Sequence, residues 1–534
     1  MSALEPPEHR LAYPNVVDGA TLDGDRTFAA DAVVVGSGAG GAVAAARLRD
    51  AGLDVLVVEE GALERTETFT TDPATMIQRL YRDAGTSMIL GRHPIIFAEG
   101  RCVGGSTVIN GGMAWRPPAR VLERWERELG LDATGPRAME PYFEAAEAIL
   151  HTEPNHEDTY GANTHLFLRG AAALGWPVAR APRNMRRCVG LNNCALGCPT
   201  GAKQSMLVTE IPRALAAGAA LLTHGRVSRV VWRGSTARGV RGRLVGADGR
   251  PRGRFTVEAE LVVLAAGARH TPGILRRSRV WSRQVGRGLH THPNAKCVGI
   301  FDQRFDPWVG THQAFHIHHF LDDGILIGYA AVPPGLLAAA VPGIGAANAE
   351  KMARYNHMLT AATLVDDETE GHVRLGPDLQ PFMWQTLNAA DVERLHRGVA
   401  LTAELLFAAG AREVLLPFSD LHAIRSPGEI RRIHERPRDR GAIELMTVHI
   451  MGTARMARDA AHGATDASGA VFDTRGLVVA DASAIPTSLG VNPQETIVAL
   501  TLRNVDRWLE QRRRARPPLR RREAPAVEVR HAGS

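Results

Sequence analysis

The stretch that most constrains the fold is DAVVVGSGAGGAVAAARLRDAGLDVLVVEEG, residues 31 to 61. Ala32 to Val35 is a continuous apolar run rich in β-branched residues, the pattern of a buried parallel strand. Gly36, Gly38 and Gly41 follow at once in the spacing G-x-G-x-x-G. In that spacing the first glycine permits a sharp turn and the second lets backbone approach a pyrophosphate. The third lets the next helix lie close to the strand. Ala42, Ala44, Ala45 and Ala46 begin that helix, whose N-terminal N–H groups and dipole favour an anion. A second apolar run, Val55 to Val58, ends in Glu59. This acid falls about 20 residues after the first glycine, where a carboxylate can accept from ribose hydroxyls. Strand, triplet, helix, strand and acid in register predict a dinucleotide site, and FAD and NAD satisfy this stretch equally.

A chain of 534 residues is too long for one core and predicts two or three domains. Its 45% hydrophobic and 22% charged content excludes a disordered or fibrous protein. No uncharged apolar run is long enough for a transmembrane helix. The start, MSALEPPEHRLAY, has neither a basic segment before an apolar region nor a twin-arginine pattern. Five cysteines, three of them close together, do not form a secreted disulfide framework. A cytoplasmic protein is expected. The net charge of +6 belongs to the tail, where residues 511–534 carry eight arginines against Glu523 and Glu528. That Pro-broken tail lacks an apolar face and is expected to be a disordered, solvated end. With the body near neutral, no nucleic-acid partner and at most peripheral membrane contact are expected.

Along the chain, residues 1–30 read as an irregular lead-in. Residues 31–140, 200–294 and 445–510 read as a discontinuous dinucleotide-binding domain. Residues 141–199 and 295–444 read as a second domain built on an antiparallel sheet. ALLTHGRVSRVVW (220–232) and FTVEAELVVLAAGA (255–268) each read as one strand, and AFHIHHFL, ILIGYAAV, GHVRLGP and PFMWQTL as further strands. The apolar PPGLLAAAVPGIG, 333–345, is either a packed loop or a greasy lid.

Four segments come in a fixed order: GSGAGG…EEG, GRCVGGSTVINGG (100–112), AAGARHTPGILRRS (265–278), and HIMGT…DAS…PT…NP near the C-terminus. Together they make the chain resemble the glucose–methanol–choline (GMC) flavoprotein oxidoreductases over nearly its whole length. The resemblance implies an α/β fold, with a Rossmann-like FAD-binding domain plus an antiparallel-sheet substrate domain, and it decides the cofactor as FAD. It implies that Glu59 holds the adenosine ribose, that backbone around Val227 meets adenine, and that Gly104, Gly105, Ser106, Asn110 and Gly111 flank the flavin. Arg101, Ala266, Gly267, Asp481, Ala482 and Pro493 complete the implied cofactor contacts. Ile109 stands where covalently flavinylated relatives carry His, so the FAD is expected to be non-covalent. Arg279 stands where the family signature usually has Gly.

The resemblance implies His449 and Asn492 as the catalytic pair, and the chemistry suits them. Oxidising an alcohol by hydride transfer to flavin N5 requires removal of its O–H proton, which a neutral His accomplishes near neutral pH. An amide fixes the same oxygen, and Pro493 suits the first position of a helix beginning beside the flavin. CALGCPTGAKQS and PPGLLAAAVP resemble the long-chain alcohol oxidase branch, implying an aliphatic, long-chain or bulky apolar alcohol. Oxygen, a quinone or a redox protein all remain as electron acceptor. Cys188, Cys194 and Cys198 resemble the iron–sulfur loop of sugar and polyol dehydrogenases that pass electrons to a partner. However, Val189 stands where those carry a second Cys, and no cluster is expected. A lyase or decarboxylase using FAD without net redox is the remaining alternative. His312, His316, His318 and His319 are expected to line or border the substrate cavity, and His290 and His292 to need no catalytic role.

Overall fold

The runs Ala32–Val35 and Val55–Val58 are parallel neighbours, buried at every residue, inside a six-stranded parallel sheet. The order across that sheet is Val16–Asp18, Ala220–Thr223, Val55–Val58, Ala32–Val35, Leu261–Leu264 and Leu477–Val479. Separated stretches of chain therefore meet in one layer, and the helix Ala39–Asp50 crosses it. The computed structural model describes residues 15–341, 343–438, 443–515 and 530–531.

A second, five-stranded sheet runs Gly225–Arg233, Thr236–Val245, Pro251–Glu258, Arg26–Ala29 and Arg530–His531. It explains why two expected single strands are each divided. Ala220–Thr223 is buried throughout in the parallel sheet. The chain then turns at His224, with φ of +52°, and Gly225–Arg233 continues in the second sheet with mixed burial. Pro251–Glu258 and Leu261–Leu264 divide in the same way around Ala259 and Glu260. The apolar period was continuous across each break because both halves bury side chains, in different layers.

The expected irregular lead-in is corrected by Val16–Asp18 and Arg26–Ala29, which pair parallel with strands of the first and second sheets. They are too short and polar to show a period. Residues 1–14 lie outside the described residues. The expected disordered tail is corrected in part. The helix Gln494–Ala515 continues past residue 510, and Arg530–His531 pairs with Arg26 and Thr27. Residues 516–529 and 532–534 lie outside the described residues.

The third sheet has 13 strands. Most neighbours are antiparallel, but Pro381–Trp384 runs parallel to Ser87–Leu90, and Leu445–Thr447 parallel to Ile95–Phe97. Ser87–Leu90, Ile95–Phe97, Arg287–Leu289 and Leu445–Thr447 come from segments expected in the FAD domain, so the large sheet reaches across the expected boundary. The strand within AFHIHHFL is confined to Phe315–Ile317. The helix Ala389–Ala408 packs on the strands Asn294–Ile300 and Met358–Val365. In the Pro/Gly-broken segment, Pro334–Ala340 is a short helix that serves two surfaces. Leu337 joins a small core with Val298, Ile300 and Tyr355, whereas Leu336 faces the large cavity.

The helix Gly267–Arg277 ends at Ser278, and Arg279 adopts φ of +62°. That left-handed conformation at a helix end favours glycine. Replacing Arg279 with Gly is expected to stabilise the protein by roughly 1 kcal/mol, the order of the steric penalty removed. Equilibrium urea unfolding of the FAD-loaded protein measures this, and an unchanged or lower midpoint would contradict it.

Candidate active site

Gly36 turns the chain with φ of +100°, and a Cβ there would lie 2.3 Å from the carbonyl oxygen of Ala265. A Cβ at Gly41 would lie 2.0 Å from Gly36 O, so Gly41 keeps the helix against the turn. Gly38 faces open space instead. Between them, Ser37 is fully buried and donates to Glu59 Oε2 from its backbone N (3.1 Å) and its hydroxyl (2.6 Å). Gly61 N donates to Glu59 Oε1 at 2.8 Å, and Gly104 N donates to Ser37 Oγ at 3.0 Å. Burial raises the Glu59 pKa against the pull of these donors. A carboxylate accepts at about four positions, so three protein donors leave room for one ribose hydroxyl. Its neighbour Glu60 also lines the cavity. Burial alone would raise it, yet Arg82 and then Arg226 take it to about 2.

The C-terminal motif closes the cradle. Asp481 Oδ2 accepts from Gly267 N (2.9 Å) and Thr271 Oγ1 (2.5 Å), and Oδ1 accepts from Ser483 N (2.8 Å). The segment around Ala266 is thereby tied to Ala482. A cavity of about 680 Å³ runs between these motifs and the face of the large sheet. Gly36, Gly38, Glu59, Gly105, Ser106, Asn110, Gly111, Val227, Ala266, Gly267, Asp481, Ala482, Asn492 and Pro493 all line it. Three expected contacts do not. Gly41 packs the helix, Gly104 tethers the loop through Ser37, and Arg101 is exposed, its backbone packed against Gly61. Lys203 holds the other side of this loop: its buried ammonium donates to the carbonyls of Val108 (2.6 Å), Asn110 (2.9 Å) and Cys194 (2.5 Å). Burial lowers its pKa to about 8.

At the far side, His449 Nε2 stands 3.1 Å from Asn492 Nδ2. Asn492 leads through Pro493 into the helix Gln494–Ala515, so the helix N-terminus opens on the cavity. Asn492 Oδ1 and Gln494 Nε2 are buried without partners, as expected of groups awaiting a ligand. The residue that sequence reasoning missed is His292. Its Nδ1 lies 3.2 Å from His449 Nδ1, and its Nε2 accepts from Leu489 N (3.2 Å) and Gly490 N (3.1 Å). His292 N and Thr291 N are held by the buried Asp367 carboxylate. Burial would raise Asp367, but the hydrogen bond and charge of His290 and the charge of His292 bring it to about 2. Pro after His292 was the only local signal, and it reads equally as a linker.

Burial, with the imidazoles of His292 and His316 adding to it, holds His449 well below 6.5. His312 and His316 line the cavity as expected, each pushed to about 3, chiefly by burial. Trp115 Nε1 donates to His316 Nδ1 at 3.0 Å. His318 lies tilted against Trp115, outside the cavity lining, and His319 is exposed, which corrects the expectation that all four line or border it. Cys188, Cys194 and Cys198 are free thiols, with Cys194 buried beside Arg183 (3.7 Å). Among the described residues no group of three or more His, Cys, Asp or Glu side chains is arranged to hold a metal ion. No helix among them is long and apolar enough to cross a membrane.

A family model for GMC oxidoreductases matches residues 77–294, its C-terminal counterpart residues 367–501, and an FAD binding domain model residues 31–72. The chain belongs to the GMC oxidoreductase family. It is 37% identical over 505 residues, 93% of this chain and 79% of the relative, to an uncharacterised GMC-type oxidoreductase of Mycobacterium tuberculosis. It is 29% identical over 500 residues, 88% of this chain and 65% of the relative, to a long-chain-alcohol oxidase of Arabidopsis thaliana. Among solved structures, pyridoxine 4-oxidase from Mesorbium loti superposes with a TM-score of 0.70 at 20% identity, covering 90% of this chain and 99% of that one. This GMC protein is thus an FAD-dependent oxidoreductase, and the open face of Gly38, the spare acceptor of Glu59 and the helix N-terminus fit FAD.

Ile109 is buried on the cavity wall and has no nitrogen to bond the flavin, so FAD is held non-covalently. Acid precipitation is expected to leave all flavin fluorescence in the supernatant. Fluorescence remaining with the polypeptide would contradict that.

Proposed function

We propose that this protein oxidises an aliphatic, long-chain or bulky apolar alcohol to its carbonyl compound, with His449 accepting the hydroxyl proton. The observation that carries this reading is the His449–Asn492 pair, 3.1 Å apart where the cavity meets a helix N-terminus. Bound FAD, held by the Gly36–Gly38 turn, Glu59 and the loop at Gly105, supplies the hydride acceptor. The alcohol oxygen meets His449 Nε2 and the Asn492 amide from the cavity side, and the amide orients it. Buried and paired with no carboxylate, His449 is held in its neutral form and free to take the proton. The helix Gln494–Ala515 presents its N–H groups where negative charge accumulates on reduction.

His292 sets a condition on this step. Because its Nε2 accepts from two backbone N–H groups, its own proton occupies Nδ1 and points at His449 Nδ1. His449 thus meets a donor at each ring nitrogen, His292 at Nδ1 and Asn492 Nδ2 at Nε2, and a neutral ring with one proton accepts from only one of them. Acting as a base at Nε2 requires the tautomer that carries this proton on Nδ1. The substrate class is supported by the apolar wall of Leu326, Leu336, Leu364, Met446 and Ile450, and by likeness to long-chain-alcohol oxidases of Arabidopsis thaliana.

Replacing His449 with Ala is expected to leave yellow, FAD-bound protein whose alcohol turnover falls by roughly 10²-fold or more, the scale of losing a general base. For the unaltered protein, a depressed base pKa means the reactive neutral form persists as pH falls. The acid limb of kcat/KM is expected well below 6.5, with a plateau above it. Near-normal turnover in the variant, or an acid limb at or above 6.5, would count against His449 as base.

A further inference from the structure

The strand Asn294–Ile300 leaves the catalytic centre directly, because His292, two residues before it, touches His449. Side chains alternate along a strand, so Asn294 and Lys296 share a face. That face is cavity wall: both residues line the cavity, whereas Ala295 and Cys297 are fully buried behind it. In the antiparallel register Leu364 and Met446 lie opposite Asn294, and Ala362 lies opposite Lys296. Two residues before Met446 on the same strand path, Glu444 also reaches the cavity. Beside Lys296 stand Ala362 and then Gly328; the His316 ring packs over Gly328, which leaves Ala362 as the small neighbour of the lysine.

Three polar groups on this wall are unpartnered. Among the described residues neither Lys296 Nζ nor the Glu444 carboxylate makes a hydrogen bond or an ion pair within 4.0 Å. Asn294 Oδ1 is buried with no partner. Burial lowers the Lys296 pKa to about 8 against the pull of Glu444. Burial likewise raises Glu444 against the pull of Lys296. The two charges therefore sense each other across a gap they do not close. Glu444 is exposed at the cavity rim and Lys296 half-buried, so Asn294 Oδ1 is the atom sealed from water, and a buried acceptor is unfavourable unless something in the cavity satisfies it.

We propose that Lys296, Asn294 and Glu444 form a second polar subsite of the substrate cavity that receives a second hydroxyl group, making a terminal diol the preferred alcohol. This rests on the alcohol-oxidising reading above and narrows it. The wall offers a donor, the Lys296 ammonium, and two acceptors, Asn294 Oδ1 and the Glu444 carboxylate. A hydroxyl is donor and acceptor at once and answers both kinds. Opposite charges on the wall favour a neutral group, since a substrate carboxylate would meet Glu444 as well as Lys296. A methyl end would leave the buried Asn294 Oδ1 unsatisfied. His292 and Lys296 are four residues apart, or about 13 Å at about 3.3 Å per residue. The second hydroxyl is thus placed one extended, medium-length chain from the first.

The test compares α,ω-alkanediols with 1-alkanols of equal length on the FAD-loaded protein, by kcat/KM and by anaerobic flavin bleaching. A diol of medium length is expected to exceed the matching 1-alkanol by about tenfold in kcat/KM, mainly through KM. Lys296→Met, checked for an intact oxidised-flavin spectrum, is expected to bring the diol down to the 1-alkanol value. Equal values for diol and 1-alkanol in the unaltered protein, or preference for an ω-hydroxycarboxylate over the diol, would overturn the subsite. If no alcohol of either kind bleaches the flavin, the alcohol-oxidising reading fails separately. The subsite is then read from binding: a diol-induced shift of the oxidised-flavin spectrum, lost in Lys296→Met, supports it, and no such difference overturns it.

Discussion

The rest of the structure depends on the buried carboxylate of Glu59. It gathers the Ser37 backbone and hydroxyl and the Gly61 backbone, and through Ser37 Oγ it reaches Gly104. One acid thereby joins the glycine turn, the end of the second strand and, 67 positions beyond Ser37, the loop at Gly104. Charge-assisted hydrogen bonds in a buried setting are stronger than exposed ones, and an unpaired carboxylate there would be costly. Asp481 repeats the device on the other flank, tying the Gly267 turn to the C-terminal motif. Two buried acids, each satisfied by backbone N–H groups together with hydroxyls, therefore hold the two flanks of the cavity.

The catalytic side is organised by the opposite electrostatic choice. His292, His316 and His449 sit together without a carboxylate against His449; burial favours the uncharged form of all three rings, and at His449 the charges of His292 and His316 add to it. Asp367 is close by, but its oxygens are taken by Thr291 N, His292 N and Gln385. It fixes the His292 backbone instead of pairing with His449. An uncharged imidazole beside an amide and a helix N-terminus is suited to accepting a proton while negative charge builds elsewhere.

The dinucleotide-binding unit was legible because its signals are local: apolar runs, glycines and an acid within residues 31–61. Asn492 and His449 were legible only through family motifs, since nothing in their flanking residues says that they face each other. His292 was missed for the same physical reason. Its role comes from a ring 157 positions away and from the backbone of Leu489 and Gly490, and none of that is encoded in GRGLHTHPNA. The large sheet was misassigned at its borders because Ser87–Leu90 and Leu445–Thr447 are short strands, each with a partner hundreds of residues away. Pattern reasoning divides a chain by sequence, whereas a sheet recruits strands by edge complementarity. Lys203 stood in CALGCPTGAKQS with nothing to show that it is buried, and Lys296 carried no sequence signal, as surface and buried lysines look alike until the surrounding chain is folded.

The central claim is that the His449–Asn492 cavity removes a hydride and a proton from the same alcohol carbon–oxygen unit. Anaerobic stopped-flow mixing of the FAD-loaded protein with a long-chain primary alcohol, normal or dideuterated at the hydroxyl-bearing carbon, tests it most directly. Rapid loss of oxidised-flavin absorbance, slowed several-fold by the deuterated alcohol, is the predicted result. A flavin that stays oxidised across chain lengths, or bleaches without any isotope effect at single turnover when chemistry is rate-limiting, would contradict it.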